Sequence, residues 1–311
     1  MTPTIVIRPY HSNDLDDVLD LLRVSLGESE INQRSPELFS WKHVDNPFGR
    51  SIMLVAEDSD GIVGFRAFMR WELTDVRGQL IRCVRPVDTA THPRARRQGI
   101  FRSLTLAAVE AAQTDAVDLI FNTPNPRSKA GYLTMGWVEV ARIGVLIRPK
   151  VPSLFRRRAG LANVPGALAW ADQAVLARAP RGLRTPRTAD YLGWRFRHPF
   201  ARYFVSGDAE GLAVLRPNRR KGRRELVVSD LTGPRAGPTL RRIVHQTDAD
   251  YLVAWFAPGS PERRAALFAG LLPVPAVTAL HLVARPLRPD LAQSAADPKQ
   301  WDLALSDLEL L

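Results

Sequence analysis

The segment from Thr91 to Phe101 joins an extended run of residues to a helical one, and this junction constrains the fold more than any other part of the sequence. The extended run covers residues 81–89, and the helical run starts at Arg102, after a loop with arginines and Gly99. The first turn of a helix leaves backbone N–H groups unpaired, and the helix dipole adds partial positive charge there. Glycine lets a backbone approach a ligand closely, and arginine contributes a full charge. The junction therefore predicts a strand–loop–helix unit that binds a phosphate or another anion.

A second motif follows one helix and one strand later. After the apolar run 117–121, Asn125 precedes a short helical segment with Tyr132, Gly136 and Trp137. The first loop has a single glycine, so it matches neither the dinucleotide fingerprint nor the Walker loop. In this order, the two motifs resemble those of the GNAT superfamily of acyl-CoA-dependent N-acyltransferases, an Arg/Gln-x-x-Gly-x-Gly/Ala loop followed by Asn and Tyr-x-x-x-Gly-Phe/Trp.

The resemblance implies where acetyl-CoA binds. In the family, the loop holds the pyrophosphate, the end of the preceding strand pairs with the pantetheine arm, and the asparagine contacts that arm. The cofactor-binding residues so implied are Thr89, Ala90, Thr91, Arg96, Arg97, Gln98, Gly99, Ile100, Phe101, Arg102 and Asn125. Phe101 departs from the family, which usually has a small residue there, but binding through its backbone N–H group tolerates this departure.

Acyl transfer from a thioester to an amine requires deprotonation of the amine, polarisation of the carbonyl group and departure of the thiolate. The resemblance implies Tyr132 as the acid at the CoA sulfur. Asp88, at the end of the extended run, is the best-placed carboxylate for the base. A structural role for Asp88, His92 as the base, and a proton relay through water stay open as alternatives. The six histidines show no paired spacing, so no metal site is predicted.

The chain contains an internal repeat. Trp41-Lys42 followed by Asn46-Pro47-Phe48 recurs as Trp194-Arg195 followed by His198-Pro199-Phe200. Each copy continues with a hairpin, a strand that ends in an aspartate, a helix and a further strand, and duplication is the economical explanation. Together with the GNAT resemblance, the repeat predicts the α/β fold class, with two tandem GNAT-like domains, each a mixed, splayed sheet flanked by helices.

The predicted domain boundaries follow from this repeat. We expect a GNAT-like catalytic domain that binds acyl-CoA at residues 1–148, followed by a linker at 149–186 with one helix over 166–178. A degenerate GNAT-like second domain is expected at 187–287, and a C-terminal tail at 288–311. Strands over 138–147 are expected to close the first domain, and a strand over 279–285 the second.

The second copy lacks the features that bind CoA in the first. Pro234 and Pro238 stand where the first copy has its anion loop, and proline has no N–H group to donate. The closing helix carries Phe268 and no tyrosine at the matching spacing. We therefore expect CoA and the catalytic acid only in the first domain.

Composition narrows the class of protein further. The chain has 311 residues and a net charge of +11, and only five of its 43 basic residues are lysines. A single cysteine, Cys83, suits a reducing cytoplasm, and no apolar run reaches the ~20 residues that cross a bilayer. Nucleic acid stays a less favoured candidate partner, because the net charge is positive and an arginine-rich hairpin tip is predicted at 219–224.

These observations predict a cytoplasmic N-acetyltransferase that moves an acetyl group from acetyl-CoA to a primary amine of a small or peptidic acceptor, by direct attack in a ternary complex. No membrane partner is expected, and the oligomeric state stays open. Two alternatives remain, namely a catalytically inactive CoA-binding or regulatory module, and an acyl or aminoacyl transferase linked to RNA. A steep salt dependence of RNA binding would mark the second alternative.

Overall fold

The computed structural model describes residues 4–149, 178–208, 210–274 and 280–308. Its strands are β1 (Val6–Pro9), β2 (Ile52–Asp58), β3 (Gly61–Thr74), β4 (Leu80–Thr91), β5 (Leu119–Asn122), β6 (Val138–Ile143), β7 (Leu146–Pro149), β8 (Phe204–Asp208), β9 (Gly211–Arg220), β10 (Arg223–Thr232), β11 (Tyr251–Ala254), β12 (Leu272–Pro273) and β13 (Leu280–Pro286). Its helices are α1 (Leu15–Leu26), α2 (Pro36–His43), α3 (Ile100–Thr114), α4 (Pro126–Thr134), α5 (Ala189–Arg195), α6 (Ala236–Gln246), α7 (Pro261–Phe268), α8 (Ala292–Ala296) and α9 (Leu305–Leu308).

The strands form two mixed sheets. The order in the first sheet is β1-β2-β3-β4-β5-β13-β6, and the order in the second is β12-β7-β11-β10-β9-β8. Helices α3 and α4 cover one face of the first sheet, and α6 and α7 cover one face of the second. The opposite faces of the two sheets meet over an apolar core that includes α2, α5 and the segment 301–308. The predicted fold class is confirmed.

The two sheets exchange one strand each. β13, from the C-terminal part of the chain, lies between β5 and β6 and is antiparallel to both. β7, from the first half, lies between β11 and β12 and is also antiparallel to both. Because β4–β5 and β10–β11 are the parallel pairs of their sheets, β13 and β7 occupy equivalent places beside them.

This exchange cuts across the predicted division of the chain. The strands expected over 138–147 are β6 and β7, and β7 joins the second sheet. The strand expected over 279–285 is β13, which returns to the first sheet. Neither 1–148 nor 187–287 therefore contains all the strands of one sheet. Hydrophobic patterns indicate that a strand is buried, but they do not indicate which strand it pairs with.

The C-terminal segment 301–308 packs into the molecule. Trp301 is buried, and its ring centroid lies 5.4 Å from that of Phe121. The side chains of 301–308 fill the space between the two sheets. The helix predicted over 166–178 lies almost wholly outside the described residues.

The predicted arginine-rich hairpin is formed by β9 and β10. Lys221 and Gly222 have φ values of 51° and 78°, as a two-residue turn of type I′ requires. Next to the tip, Arg224 forms ion pairs with Asp248 and Asp250. The tip is therefore an exposed turn whose charge is partly neutralised by its own neighbours.

Two tryptophans of the repeat pack against each other between the sheets. The rings of Trp41 and Trp194 are stacked, with their centroids 4.9 Å apart. Each indole N–H group donates to the backbone carbonyl of the other residue, at 2.9 and 2.7 Å. The two residues are 153 positions apart, and so are Ser35 and Thr188, which cap α2 and α5. The contact is therefore reciprocal, like a contact across a twofold axis.

Asn46 and His198 occupy matching positions after these two helices, and both side chains accept backbone N–H groups. The Asn46 oxygen accepts from Phe48 N at 3.0 Å, and His198 Nδ1 accepts from Phe200 N and Ala201 N at 3.1 and 3.0 Å. Because Nδ1 accepts, the proton of the neutral ring lies on Nε2. Burial and nearby cations lower the pKa of His198 to about 3.

We predict that His198→Asn makes the protein less sensitive to acid. An unfolded histidine has a pKa of about 6.5, so below this pH the unfolded chain takes up a proton that the folded chain does not. The free energy of unfolding therefore falls by about 1.4 kcal/mol per pH unit as the pH drops from about 6.5 toward 3. Asparagine keeps an acceptor for the turn, as in the first copy, and has no proton to gain. Urea unfolding at pH 7 and pH 5 gives the decrease in the free energy of unfolding between these two pH values. This decrease should be about 2 kcal/mol smaller in the variant than in the wild-type protein. Equal losses in both proteins would contradict this prediction.

Candidate active site

The loop before α3 presents unpaired backbone donors. Gly99 is the N-cap residue of α3, with a φ of 77°, a left-handed conformation that glycine adopts without steric penalty. Within the described part of the chain, none of the backbone N–H groups from Gly99 to Arg102 has a hydrogen-bond partner. Arg96, Arg97 and Arg102 are exposed beside them. The loop has the donors and the charge of an anion-binding helix N-terminus.

Packing fixes the direction of α3. Its residues Ile100 and Leu104 lie directly on Gly64 of β3, where a Cβ atom would be 2.7 and 2.9 Å from their side chains. Any larger residue at position 64 would push the helix away from the sheet. The first turn of α3 is thereby held beside the end of β4.

The equivalent loop of the second copy is built differently. Arg235 N donates to Glu210 O at 2.8 Å, and Ala236 N donates to Gly233 O at 3.2 Å, so these groups already have partners. Pro238 follows in the first turn of α6. The loop before α6 therefore has fewer free donors than the loop before α3.

β4 and β5 pair over a short stretch and then separate. The parallel register covers only Cys83 and Val84 on β4. The strand continues to Thr91, and within the described ranges its last residues pair only with β3, so that one edge of them is unpaired there. This gap corresponds to the predicted opening of the sheet, and Thr89 and Ala90 lie along its edge.

Tyr132 lies in α4, next to this opening, and is buried. Its hydroxyl group accepts a hydrogen bond from Nη2 of Arg66 at 2.8 Å. The other terminal nitrogen of Arg66, Nη1, donates to Thr89 Oγ1. The guanidinium carbon also lies 5.3 Å from the centroid of the Tyr132 ring and 5.5 Å from that of Phe101. Arg66 thus brings together a predicted catalytic residue and two predicted cofactor-binding residues.

Sequence reasoning missed Arg66. The residue lies in β3, within a continuous buried stretch from Val63 to Met69, and none of its side chain is exposed. Arginine is almost never fully buried unless it is paired. The available signal was therefore a charged residue in the middle of an apolar strand.

Phe101 closes the space between α3 and α4. Its ring packs edge-to-face against Tyr132, with the centroids 5.6 Å apart. A Cβ atom on Gly131 would lie 2.9 Å from this ring, so the glycine allows α4 to approach. The departure of Phe101 from the family pattern is thus accommodated by contacts of its side chain, while its backbone N–H group remains unpaired among the described residues.

Asn125 is the N-cap residue of α4. Its side-chain oxygen accepts from Arg127 N and Ser128 N, at 3.0 and 2.9 Å. The predicted contact with CoA would therefore have to use the amide nitrogen, because the oxygen already serves the helix.

Asp88, predicted from the sequence as the base, lies in a buried ion cluster. Its carboxylate is 3.1 Å from Arg34 Nη1, 3.0 Å from Lys42 Nζ and 3.1 Å from His43 Nε2. Burial alone would raise the pKa of Asp88, but Lys42, His43 and Arg34 outweigh burial and hold the pKa well below its ordinary value. Such a carboxylate accepts protons poorly at neutral pH, which argues against its predicted role as the base.

The second copy preserves one part of this cluster. Asp230, at the matching position of β10, is 2.9 Å from Arg187 Nε. Arg187 lies one residue before the cap of α5, as Arg34 lies one residue before the cap of α2. The ion pair is present even though the second copy has no tyrosine equivalent to Tyr132, and this favours a structural role for it.

His92, the alternative base, also has a structural contact. Its Nδ1 atom accepts from Arg94 N at 3.3 Å and caps the short turn that follows β4. Across the residues that the structure describes, no three His, Cys, Asp or Glu side chains form a group that could hold a metal ion. In that same part of the chain, no helix is both long and apolar enough to cross a bilayer.

A shallow depression lies on the other face of β4 from Tyr132, and its empty volume of about 200 Å³ includes open solvent. Its lining residues come from α1, the α1–α2 connection, α2 and the end of β4, and they are Leu19, Leu22, Gln33, Arg34, Ser35, Leu38, Phe39, Lys42 and Asp88. Asp88 and Thr89 separate the depression from Arg66 and Tyr132. The Asp88 carboxylate contacts Arg34, Lys42 and His43, whereas Thr89 Oγ1 accepts from Arg66.

Comparisons with known proteins agree with this geometry. Residues 6–140 match the family model of the acetyltransferase (GNAT) domain. The whole chain resembles the crystal structure of a GCN5-related N-acetyltransferase from Anabaena variabilis, with 13% identity, a TM-score of 0.62, and coverage of 91% of this chain and 73% of the other.

Two further solved structures have the same overall fold. For a GCN5-related N-acetyltransferase from Kribbella flavida, the identity is 16%, the TM-score is 0.63, and the match covers 94% of this chain and 74% of the other. For Eis1 from Mycobacterium abscessus, the identity is 15%, the TM-score is 0.56, and the match covers 97% of this chain and 72% of the other. No curated protein matches the sequence significantly.

The family model covers the loop before α3, Tyr132 and the opening between β4 and β5, and the structural likeness extends over both sheets. The match to this family model supports acyl transfer as the general activity. Residues 6–140 match the model of the GNAT acetyltransferase domain, and the fold of the chain is similar to that of solved GCN5-related N-acetyltransferases.

Proposed function

We propose that the protein transfers an acetyl group from acetyl-CoA to a primary amine of a small or peptidic acceptor, by direct attack in a ternary complex. The observation that carries this proposal is the alignment of three features along one opening. Among the described residues, the N–H groups from Gly99 to Arg102 are free, the edge of β4 beyond Val84 is unpaired, and Arg66 joins Tyr132 to Thr89 on β4. Pyrophosphate, pantetheine and thioester are arranged in this order along CoA.

The chemistry requires no covalent intermediate. The amine nitrogen attacks the thioester carbon, a C–N bond forms, and the C–S bond breaks with its electron pair on sulfur. The amine loses one proton, and the sulfur gains one when CoA leaves as a thiol. Tyr132 is the proposed acid, because its hydroxyl oxygen accepts from Arg66 and its hydrogen is therefore free for the sulfur.

The acceptor is proposed to enter through the depression on the opposite face of β4. Asp88 borders it, but its low pKa suits it to hold Arg34 and Lys42 in place and not to take a proton. The amine proton would then leave through water. We also propose a cytoplasmic location, because the single cysteine, Cys83, is a free and buried thiol.

The proposal is tested by turnover with a library of amines and acetyl-CoA, following release of the CoA thiol and the mass of the product. Mass spectrometry of the purified protein under native conditions should also reveal bound CoA. Acetylation of at least one amine, lost in Tyr132→Phe, supports the function. CoA binding without turnover of any amine would favour the CoA-binding regulatory module instead.

A further inference from the structure

Arg66 has no compensating charge in the described part of the protein. Its side chain is fully buried, and no carboxylate forms an ion pair with it there. Its Nε atom has no hydrogen-bond partner among the described residues. Burying an unpaired charge is costly, so a buried arginine in this state is expected to complement an anionic group of a ligand.

The groups around Arg66 can only donate further hydrogen bonds toward a ligand. Arginine has no acceptor, so the hydroxyl oxygens of Thr89 and Tyr132 must both accept from it. Neither hydroxyl hydrogen has an acceptor within the described residues. Two O–H groups and a guanidinium therefore converge without any acceptor among them. This arrangement fits an atom that carries negative charge and accepts several hydrogen bonds.

We propose that Arg66 positions the hydroxyls of Thr89 and Tyr132 toward the sulfur of CoA, so that the sulfur site already proposed at Tyr132 becomes a seat, formed by these three residues, for the thiolate form. This inference rests on the proposed function, because CoA must occupy the opening. The C–S bond breaks with its electron pair on sulfur, which the two hydroxyl hydrogens then bind. The proton of the amine goes to water, and Tyr132 gives its proton to the sulfur when CoA leaves and takes one back from water. A cation lowers the pKa of a neighbouring thiol, so the product is held as an anion.

The test compares CoA with desulfo-CoA, which has the same pyrophosphate and pantetheine but no sulfur. In calorimetric titrations at pH 8, the wild-type protein should bind CoA about tenfold or more tightly than desulfo-CoA, the scale of a lost charge-assisted contact. Arg66→Met should reduce this ratio to about one while desulfo-CoA still binds. Arg66→Lys should retain part of the preference, because it keeps the charge.

Arg96→Ala is the matched control. It removes a charge from the pyrophosphate loop, so it should weaken the binding of CoA and desulfo-CoA by the same factor. A purely structural role for Arg66 would likewise change both affinities together. The ultraviolet absorbance of the bound thiolate gives a second measurement, and in the wild-type protein it should appear at a pH at least about one unit below that of free CoA.

The outcomes separate this inference from the proposed function. If the wild-type protein binds both ligands with equal affinity and the thiolate titrates as in free CoA, the seat is refuted and the CoA site survives. If neither ligand binds, both are refuted. Should Arg66→Met fail to fold, the wild-type affinity ratio and the thiolate titration still decide between these results.

Discussion

Replacement of Tyr132 by phenylalanine is expected to lower kcat about 100-fold or more, the scale of a lost general acid. Phenylalanine keeps the ring contacts with Phe101 and Trp137, which lie 5.6 and 5.1 Å away between centroids. Only the hydroxyl group is lost, and its bond to the sulfur strengthens in the transition state. The loss should therefore appear in kcat, with the affinity for acetyl-CoA, which carries no thiolate, and the melting temperature near wild type.

Tyr203→Phe is the matched control for this variant. The Tyr203 hydroxyl group is also bonded to a buried arginine, because Arg195 Nη1 donates to it at 3.0 Å. The residue is buried in the second half of the chain. Steady-state kinetics should show wild-type turnover for Tyr203→Phe. If Tyr132→Phe turns over at the wild-type rate, the tyrosine is structural and the thiolate departs without an acid.

Gly99→Val is expected to weaken CoA binding about 100-fold or more. The left-handed φ of 77° costs a residue with a Cβ atom about 1–2 kcal/mol of conformational energy. Relief of this strain would turn the N–H groups away from the phosphates, and each charge-assisted bond contributes about 1.5–3 kcal/mol. No atom lies within 4 Å of a Cβ placed at position 99, so the side chain would also fill the open space that the ligand approaches.

Gly78→Val separates backbone strain from ligand binding. Gly78 has a φ of 75° and also has nothing within 4 Å of a Cβ atom, but it lies in the turn between β3 and β4. Both variants should lose similar amounts of stability in urea unfolding. Only Gly99→Val should lose CoA affinity by calorimetry, and an equal effect of the two substitutions on CoA binding would refute the loop as the pyrophosphate site.

The parts that local sequence determines could be predicted. Gly99 at a strand–helix junction and Lys221-Gly222 between alternating runs have local signals, and the structure has the helix start and the hairpin there. The repeat of Trp41 at Trp194 predicted the duplication, and the two side chains prove to contact each other.

The rest depends on long-range pairing that no local pattern specifies. From the sequence, β7 and β13 were each predicted to be the last strand of their own copy. The pairing register shows that the two strands exchange sheets. Asp88 illustrates the same limit at the site. Its position at a strand end was evident from the sequence, but Lys42 and His43, which lower its pKa, reach it from a distant helix.

Calorimetric titration of the wild-type chain with CoA tests most directly whether one of the two copies holds the cofactor. In the part of the chain that the structure describes, the N–H groups from Gly99 to Arg102 before α3 are free, whereas those of Arg235 and Ala236 before α6 are already bonded. We predict a stoichiometry of one CoA per chain, and loss of that binding in Gly99→Val. A stoichiometry near two, or full binding retained in Gly99→Val, would contradict a single CoA site on the first copy.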